Sequence, residues 1–358
     1  MKICVYAICK NEEKFAERWY NSMSEADKVF VLDTGSSDES ANTLKKLGAI
    51  VEVKEVKPWR FDVARNLSLD MVDEDADICV CTDLDEVFEK GWRDKLEKVW
   101  KDGTTRASYT YNWSLDDDDN PIISFYSDKI HARNGYRWTR PVHEVLEYNG
   151  VEKRVFDENI VLNHYPDREK SRGGYLPLLE LSVKEDPLDD RNTHYLGREY
   201  MYYERWNEAI DTLERHLNLE KAVWKDERCA SMRFIGRCYK NLNRPLEAEM
   251  WYQKALMEAP HLKEAYTELA IFYYERGEYN KAVALFKQAL NIKKGYKTYI
   301  TEWFSTDFSI YDFLSLCYYN MNNYDEALKC VDKALEITKD DRILKNREII
   351  LKKCKEDI

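Results

Sequence analysis

The sequence predicts an α/β, Rossmann-like domain followed by an all-α domain of helical repeats. Two observations support this division. Short apolar runs alternate with amphipathic helical segments over the first hundred residues, as in parallel sheets that helices cover on both faces. After about residue 190 the strand signals cease and related helical segments recur. We therefore expect one domain over residues 1–190 and a second over residues 191–358, each long enough to bury its own core.

The composition excludes several classes of protein. A hydrophobic fraction of 44% is typical of a globular chain, and the net charge of -12 argues against broad affinity for nucleic acid or anionic membranes. No apolar stretch approaches the roughly 20 residues that cross a bilayer. The apolar N-terminus, residues 1–8, is too short for a signal peptide. The nine cysteines form no Cys-x-x-Cys pair, so we expect neither zinc nor disulfides, and a cytoplasmic location.

The strands of the first domain are predicted from apolar, partly β-branched runs. They lie at residues 3–8, 28–32, 50–53 and 77–82. Asp33 follows the second of these strands and Asp83 follows the fourth. Because ligands bind at the carboxyl ends of such strands, we expect both aspartates on one rim of the sheet. A second, more antiparallel patch is expected between residues 105 and 165, where it would complete a cleft.

The second domain contains an internal repeat. Three segments align, at residues 237–248, 272–282 and 317–327, and a weaker copy precedes them at residues 202–209. Ala248 and Ala282 are 34 residues apart, which is the period of the tetratricopeptide repeat. The longer spacing before the last copy indicates an insertion at residues 294–306. We expect four repeat units, which could bind a peptide or mediate a homodimer.

The tripeptide Asp83-Leu84-Asp85 is the main candidate for chemistry. It directly follows a buried strand, so both carboxylates can reach one divalent cation. Transfer from a nucleoside diphosphate sugar needs such an ion to neutralise the departing diphosphate. The alternative is an acidic turn without a ligand, since this tripeptide often arises by chance in acidic chains.

Two other segments are expected near the same rim. Asp33 begins Asp33-Thr34-Gly35-Ser36-Ser37-Asp38 and can accept hydrogen bonds from a base or ribose, although the segment also suits a turn that caps a helix. Arg65 and Asn66 are expected to begin a helix whose positive end, together with the guanidinium, suits an anion. A surface ion pair is the alternative interpretation of Arg65.

The order of these motifs, preceded by Cys9-Lys10-Asn11-Glu12, resembles that of family 2 glycosyltransferases with the GT-A fold, over roughly residues 1–165. With its repeats, the chain is similar to bacterial peptide glycosyltransferases of the sublancin S-glycosyltransferase type. The resemblance implies a UDP-sugar donor, Mn²⁺ or Mg²⁺, inversion at the anomeric carbon, and transfer of a hexose or N-acetylhexosamine. A peptide or protein acceptor would be held with the help of the repeats.

The resemblance also implies roles for individual residues. The donor nucleotide would contact Asn11, Glu12, Asp33, Arg65, Asp83, Lys170 and Arg172. The metal would be held by Asp85, Asp83 and His164. Glu144 is the expected catalytic base, with His143 orienting it or substituting for it. Alternatively, His143 and Glu144 are a structural pair at a strand end.

Two other functions stay open. The chain could be a catalytically degenerate, sugar-nucleotide-binding scaffold whose repeats recruit a peptide partner. It could also be a transferase that acts on a glycan, or on modified nucleic acid, which the negative charge disfavours. The sequence lacks the Gln-x-x-Arg-Trp motif of processive synthases, so chain polymerisation is not expected.

Overall fold

The computed structural model of the chain describes residues 1–167, 173–292, 298 and 300–356. The chain divides into two compact units, Met1–Glu185 and Asp186–Ile358. The sequence predicts this division between residues 190 and 191, one residue into the helix that begins at Asp190.

The N-terminal unit is built on a mixed sheet of eight strands and a separate two-stranded hairpin. The strands are β1 (Ile3–Cys9), β2 (Lys28–Asp33), β3 (Ile50–Val53), β4 (Ile78–Cys81), β5 (Glu86–Phe88), β6 (Arg106–Leu115), β7 (Pro121–Ala132), β8 (Tyr136–Thr139), β9 (Val145–Tyr148) and β10 (Arg154–His164). The order in the large sheet is β3-β2-β1-β4-β7-β6-β10-β5, and β8 pairs with β9.

The first four strands run parallel to one another, as predicted. The predicted antiparallel patch differs from the structure in one respect. Strand β7 pairs antiparallel with β4, so β6 and β7 continue the first sheet, and only the β8–β9 hairpin stands apart from it. The sheet is extended in this way because β7 of the long β6–β7 hairpin forms backbone hydrogen bonds with the free edge of β4.

Alternate residues of β1 point to opposite faces of the sheet, and both faces are covered. Ile3 and Val5 belong to one apolar cluster, with Trp19 of the first helix, while Cys4 and Tyr6 belong to another. This pattern, apolar on both sides, is what a buried parallel strand requires.

Five helices accompany this sheet in the described part of the N-terminal unit: α1 (Glu13–Met23), α2 (Ser40–Leu47), α3 (Phe61–Asp70), α4 (Trp92–Val99) and α5 (Tyr175–Glu185). The prediction that Arg65 and Asn66 begin a helix was wrong. Helix α3 begins at Phe61, where Arg60 is still extended and the Phe61 amide donates to the Pro141 carbonyl at 3.0 Å. Arg65 therefore lies in the middle of the helix, away from its positive end.

The C-terminal unit consists of helix pairs: α6 (Asp190–Tyr202) with α7 (Trp206–Asn218), α8 (Lys225–Asn241) with α9 (Pro245–Glu258), α10 (Lys263–Glu275) with α11 (Tyr279–Asn291), and α12 (Asp307–Asn320) with α13 (Tyr324–Ile337), followed by α14 (Asp341–Glu356). A short 3₁₀ turn, Trp303–Ser305, precedes α12. Within the described ranges, none of the helices combines the length and the apolar character that crossing a membrane requires.

One packing rule recurs in all four helix pairs. A small residue on the first helix and an alanine on the second are twelve positions apart, and all of them are buried: Gly197 and Ala209, Gly236 and Ala248, Ala270 and Ala282, Ser315 and Ala327. Small side chains let the paired helices approach closely. The weak first copy in the sequence, at residues 202–209, therefore belongs to a helix pair that packs like the others.

Replacing Gly197 with alanine should destabilise the chain, although alanine is the better helix former by about 1 kcal/mol. An added Cβ at this position would lie 2.5 Å from Cγ of Leu213. Overpacking of this kind costs about 1–3 kcal/mol. Urea denaturation of the two proteins measures the difference. The matched variant is Ala270→Gly at the same position of another repeat, which should also destabilise. A more stable Gly197→Ala protein would show that the helices are not so closely packed.

Candidate functional site

The carboxyl ends of β1, β2 and β4 form one rim, because these strands are neighbours and run parallel. Asp33 is the last residue of β2, and Asp83 follows β4 after a single intervening residue. The predicted placement of the two aspartates on the same rim is confirmed, although they are fifty residues apart in the sequence.

Asp33 is buried, and only one of its two carboxylate oxygens is bonded. Oδ1 accepts hydrogen bonds from the backbone amides of Gly35 and Ser36, at 2.8 and 2.7 Å. Oδ2 is also buried, and in the part of the chain that the structure describes it has no hydrogen-bond partner. A buried acceptor without a donor is costly, so Oδ2 is suited to a ligand that brings an N–H or O–H group.

Asn11 and Glu12 hold the loop that follows Asp33. The side-chain oxygen of Asn11 accepts from the Ser37 amide at 2.7 Å, and the Asn11 amide donates to Oγ of Ser36 at 2.8 Å. The amide of Glu12 donates to Oγ of Ser40 at 2.8 Å. Asn11 has a positive φ of 55°, a conformation that asparagine tolerates better than most residues. The two residues therefore lie at the end of β1 beside the Asp33 loop.

Arg65 is buried, with a side-chain exposure of 4%, and its guanidinium is fully engaged. Nη2 donates to both Asp83 oxygens at 2.8 and 3.2 Å, Nε donates to Oε1 of Glu144, and Nη1 contacts Sγ of Cys81 at 3.3 Å. The resemblance implied that Arg65 holds the base or the diphosphate. In the structure its N–H groups donate to the carboxylates of Asp83 and Glu144, so Arg65 holds the Asp83 side chain in position.

Asp83 is bound by a second cation, which our sequence analysis missed. Nζ of Lys129, on β7, lies 3.3 Å from Oδ2 of Asp83 and 3.6 Å from Oε1 of Glu86. Burial alone would raise the pKa of Asp83, but Arg65 and Lys129 outweigh burial and hold that pKa well below its usual range. Asp83 is therefore ionised. A single lysine in a strand gives little sequence signal, because it usually faces solvent.

Asp85 lies beside His164 because of the way the sheet ends. Strand β5 pairs antiparallel with β10, so that Glu86 is opposite His164. This register brings Nε2 of His164 to 3.4 Å from Oδ2 of Asp85, and the Tyr165 amide donates to the Asp85 carbonyl at 2.8 Å. Burial lowers the pKa of His164, but the hydrogen bond and charge of Asp85 outweigh it, so the pKa lies above its ordinary value.

The ring of His164 is oriented from its other side by Trp113. Nδ1 of His164 donates to the Trp113 carbonyl at 3.0 Å, and the two rings stack with centroids 4.6 Å apart. A histidine that donates from one ring nitrogen to a backbone carbonyl presents the other nitrogen as a metal ligand. Asp85 and His164 thus fit a divalent cation. Over the described ranges no cluster of three or more His, Cys, Asp or Glu residues is arranged for a metal, and Asp83 faces Arg65 and Lys129 instead.

His143 and Glu144 lie in the turn between β8 and β9. His143 has a positive φ of 47°, and its ring centroid is 5.9 Å from that of Tyr175. Glu144 is largely buried, with 12% of its side chain exposed, and it pairs with Arg65. The structure therefore brings Glu144 into the network around Asp83. Lys170 and Arg172, the remaining predicted nucleotide-binding residues, lie outside the described residues.

Residues 4–144 match Glycosyl transferase family 2, and residues 234–261, 264–294 and 308–341 match the Tetratricopeptide repeat. The chain carries a family 2 glycosyltransferase domain followed by tetratricopeptide repeats. The predicted fold class, a GT-A-like α/β domain and an all-α repeat domain, is confirmed.

One curated relative is the human protein O-mannosyl-transferase TMTC1, which is 26% identical over 134 residues. That match covers 31% of this chain and 15% of the relative, so the chain spans only a small part of the relative's length. Solved structures that are similar include MamA, with 24% identity, a TM-score of 0.37 and coverage of 46% of this chain and 86% of that one. BtubC from P. vanneervenii has 19% identity, a TM-score of 0.39 and coverage of 46% and 74%.

A series of buried, hydrogen-bonded side chains begins beside Arg65 in the glycosyltransferase domain. The Arg65 guanidinium lies 5.2 Å from the centre of the Trp138 ring, and Nε1 of Trp138 donates to the Tyr6 hydroxyl at 2.8 Å. Tyr6 in turn donates to Nε2 of His131 at 2.8 Å, while Nδ1 of His131 donates to the Ala132 carbonyl. His131 must be neutral to accept from Tyr6.

This arrangement predicts a loss of stability in acid. Burial lowers the pKa of His131 from 6.5 to about 3. Between these values the unfolded chain binds a proton that the folded chain excludes, so the stability falls as the pH falls through this window. The contribution is on the order of 2 kcal/mol at pH 5. Urea denaturation at pH 7.5 and pH 5 should therefore show a smaller acid loss for His131→Gln than for the unaltered chain. Equal losses would contradict a neutral, buried His131.

Proposed function

We propose that the chain is a metal-dependent, inverting glycosyltransferase that moves a hexose or N-acetylhexosamine from a UDP-sugar to a peptide or protein. The observation that carries this proposal is the rim of the family 2 domain. Two different binding features share it: the unpaired oxygen of Asp33 and the Asp85–His164 pair. The Asp33 oxygen can bind the nucleobase or ribose of a nucleotide. The Asp85–His164 pair can bind a metal ion together with the diphosphate.

Asp33 is suited to the nucleobase or ribose of the donor. Its Oδ2 atom is a hydrogen-bond acceptor in a buried position, where a hydrogen bond is stronger than in water. The imide N–H of uracil or a ribose hydroxyl would supply the missing donor. Because Oδ1 is already held by two backbone amides, the carboxylate is fixed in orientation before a ligand arrives.

Asp85 and His164 would hold Mn²⁺ or Mg²⁺ together with the donor diphosphate. Divalent cations of this kind are commonly bound through one or two protein groups plus substrate phosphates, so two residues suffice. The local charge supports this proposal. Asp83, Asp85 and Glu144 bring three carboxylates, and Glu86, whose pKa burial raises, brings a fourth, beside the two cations Arg65 and Lys129. When bound, the metal supplies neutralisation of the departing diphosphate.

The transfer step forms a bond from the acceptor heteroatom to the anomeric carbon and breaks the bond from that carbon to the UDP oxygen. The electron pair leaves with UDP, and the acceptor proton passes to a base. The prediction that Glu144 is this base stays a prediction. Its ion pair with Arg65 favours a different role, in which Glu144 positions Arg65 and thereby Asp83.

The tetratricopeptide repeats support a peptide or protein acceptor, because such arrays commonly present extended binding surfaces. Similarity to transferases of the sublancin S-glycosyltransferase type supports the same acceptor class. The donor sugar, the acceptor atom and a homodimer are parts of the proposal that separate experiments must address.

Asp85→Ala should reduce metal-dependent hydrolysis of UDP-sugars at least about 100-fold, because the diphosphate would leave without its neutralising ion. A panel of UDP-glucose, UDP-galactose and UDP-GlcNAc with Mn²⁺, followed by mass spectrometry, measures this loss. Asp117→Ala, at the exposed tip of the β6–β7 hairpin, is the matched control and should hydrolyse donors normally.

Near-normal hydrolysis by Asp85→Ala would refute the metal assignment. If the unaltered chain binds UDP but turns over no donor in the panel, the catalytically degenerate scaffold is the correct function.

Glu144→Gln and Glu144→Ala separate a base from a positioning residue. Glutamine still offers an oxygen to Nε of Arg65, so a positioning role predicts UDP affinity and hydrolysis within about tenfold of normal. Alanine removes the contact and should lower both. A base would instead lose about 10²–10⁴ in rate in both variants, with UDP affinity unchanged. Hydrolysis rates and UDP binding by calorimetry give the two readouts.

A further inference from the structure

A short segment of the insertion packs against the second and third helix pairs of the repeat unit. We call residues Ile300–Ser305 the strap. Ile300 and Phe304 are buried, with 6% and 7% exposure, whereas Trp303 is 58% exposed. Glu302 has extended backbone angles, and its side chain points inward between the two buried apolar residues. The strap therefore places an apolar, an acidic and an aromatic side chain inward at every second position.

Glu302 binds two arginines that are one helical turn apart on α8. Its Oε1 atom accepts from Nη1 of Arg233 at 2.9 Å and from Nη2 of Arg237 at 2.6 Å. Glu268 of α10 accepts from the same two arginines. Without the strap, the two guanidinium groups would share the single carboxylate of Glu268.

The backbone of the strap is also held. Oε1 of Glu264, one turn before Glu268 on α10, accepts from Oγ of Ser305 at 2.8 Å and from the amide of Glu302 at 3.4 Å. The contacts thus combine a carboxylate in an arginine pair, a main-chain hydrogen bond and two apolar side chains. These are kinds of contact by which a protein groove recognises a short peptide.

One edge of the arginine pair remains unused. Arg233 is fully buried beside the Cys229 thiol, and no oxygen of the residues that the structure describes accepts from its Nε or Nη2 atoms. These two atoms form one side of the guanidinium and can bind a carboxylate with two parallel hydrogen bonds. A buried charge with unused hydrogen-bond donors is costly, and Glu302 accepts only some of the hydrogen bonds that Arg233 and Arg237 can donate. With 24% of its side chain exposed, Glu302 is also the carboxylate of this cluster that solvent reaches most easily.

We infer that Arg233 and Arg237 form a recognition site for an acidic peptide, and that the strap occupies this site as a built-in competitor. The partner is a segment with Asp or Glu flanked, two residues to either side, by bulky apolar side chains. This site lies wholly within the repeat unit and does not depend on donor chemistry, so its test can fail while the proposed transferase activity holds, and the reverse.

The test uses the full chain and a fluorescein-labelled peptide, Ile-Thr-Glu-Trp-Phe-Ser, with a Gln-for-Glu peptide as the negative probe. A tethered competitor acts at an effective concentration of about millimolar, so the unaltered chain should bind the peptide weakly. Glu302→Gln removes the competing carboxylate, and fluorescence anisotropy should show at least about tenfold tighter binding of the acidic peptide alone. Trp303→Ala, an outward-facing change in the same strap, should leave the affinity unchanged.

Arg237→Lys, placed in the Glu302→Gln protein, should remove the gain, because lysine cannot make the paired hydrogen bonds of a guanidinium. A Glu302→Gln protein that binds the acidic peptide no more tightly than the unaltered chain would overturn the inference.

Hydrogen exchange in the unaltered chain provides a test without any substitution. Saturating acidic peptide should speed exchange in residues 300–306, and unchanged exchange with peptide bound would show that the strap does not occupy the peptide site.

Discussion

The arrangement of the glycosyltransferase domain depends on the buried guanidinium of Arg65. Removed from water, this charge requires carboxylate partners, and it draws them from two distant parts of the chain: Asp83 after β4 and Glu144 from the β8–β9 turn. Loss of one partner from a buried pair typically costs about 3–5 kcal/mol. Arg65 and Lys129 both pair with Asp83, whereas the neighbouring Asp85 pairs with His164.

A second constraint is the pairing of β5 with β10, which brings together Asp85 and His164 although they are 79 positions apart in the sequence. The rim therefore has two parts with separate supports. The parallel strands β1, β2 and β4 position Asp33 and Asp83, while the antiparallel end of the sheet positions His164. Trp113 completes this second part, because it fixes the histidine ring by both its carbonyl and its indole.

The parts of the fold that the sequence predicts are those with local signals. Apolar runs locate β1 to β4, and the rule for parallel sheets then places Asp33 and Asp83 on one rim. The start of α3 was mispredicted because it is set by a tertiary hydrogen bond from Phe61 to Pro141. The pairing of Arg65 with Glu144 and the role of Lys129 depend on contacts between distant segments, for which neither periodicity nor spacing gives a signal.

We propose that Asp85 and His164, rather than Asp83, hold the metal of the bound donor. Anomalous diffraction from crystals of the chain grown with UDP and Mn²⁺ tests it most directly. We expect one manganese peak within coordination distance of an Asp85 carboxylate oxygen and of Nε2 of His164, with Asp83 still paired to Arg65. A manganese ion that contacts neither residue, or one that binds Asp83 after the Arg65 pair has opened, would contradict it.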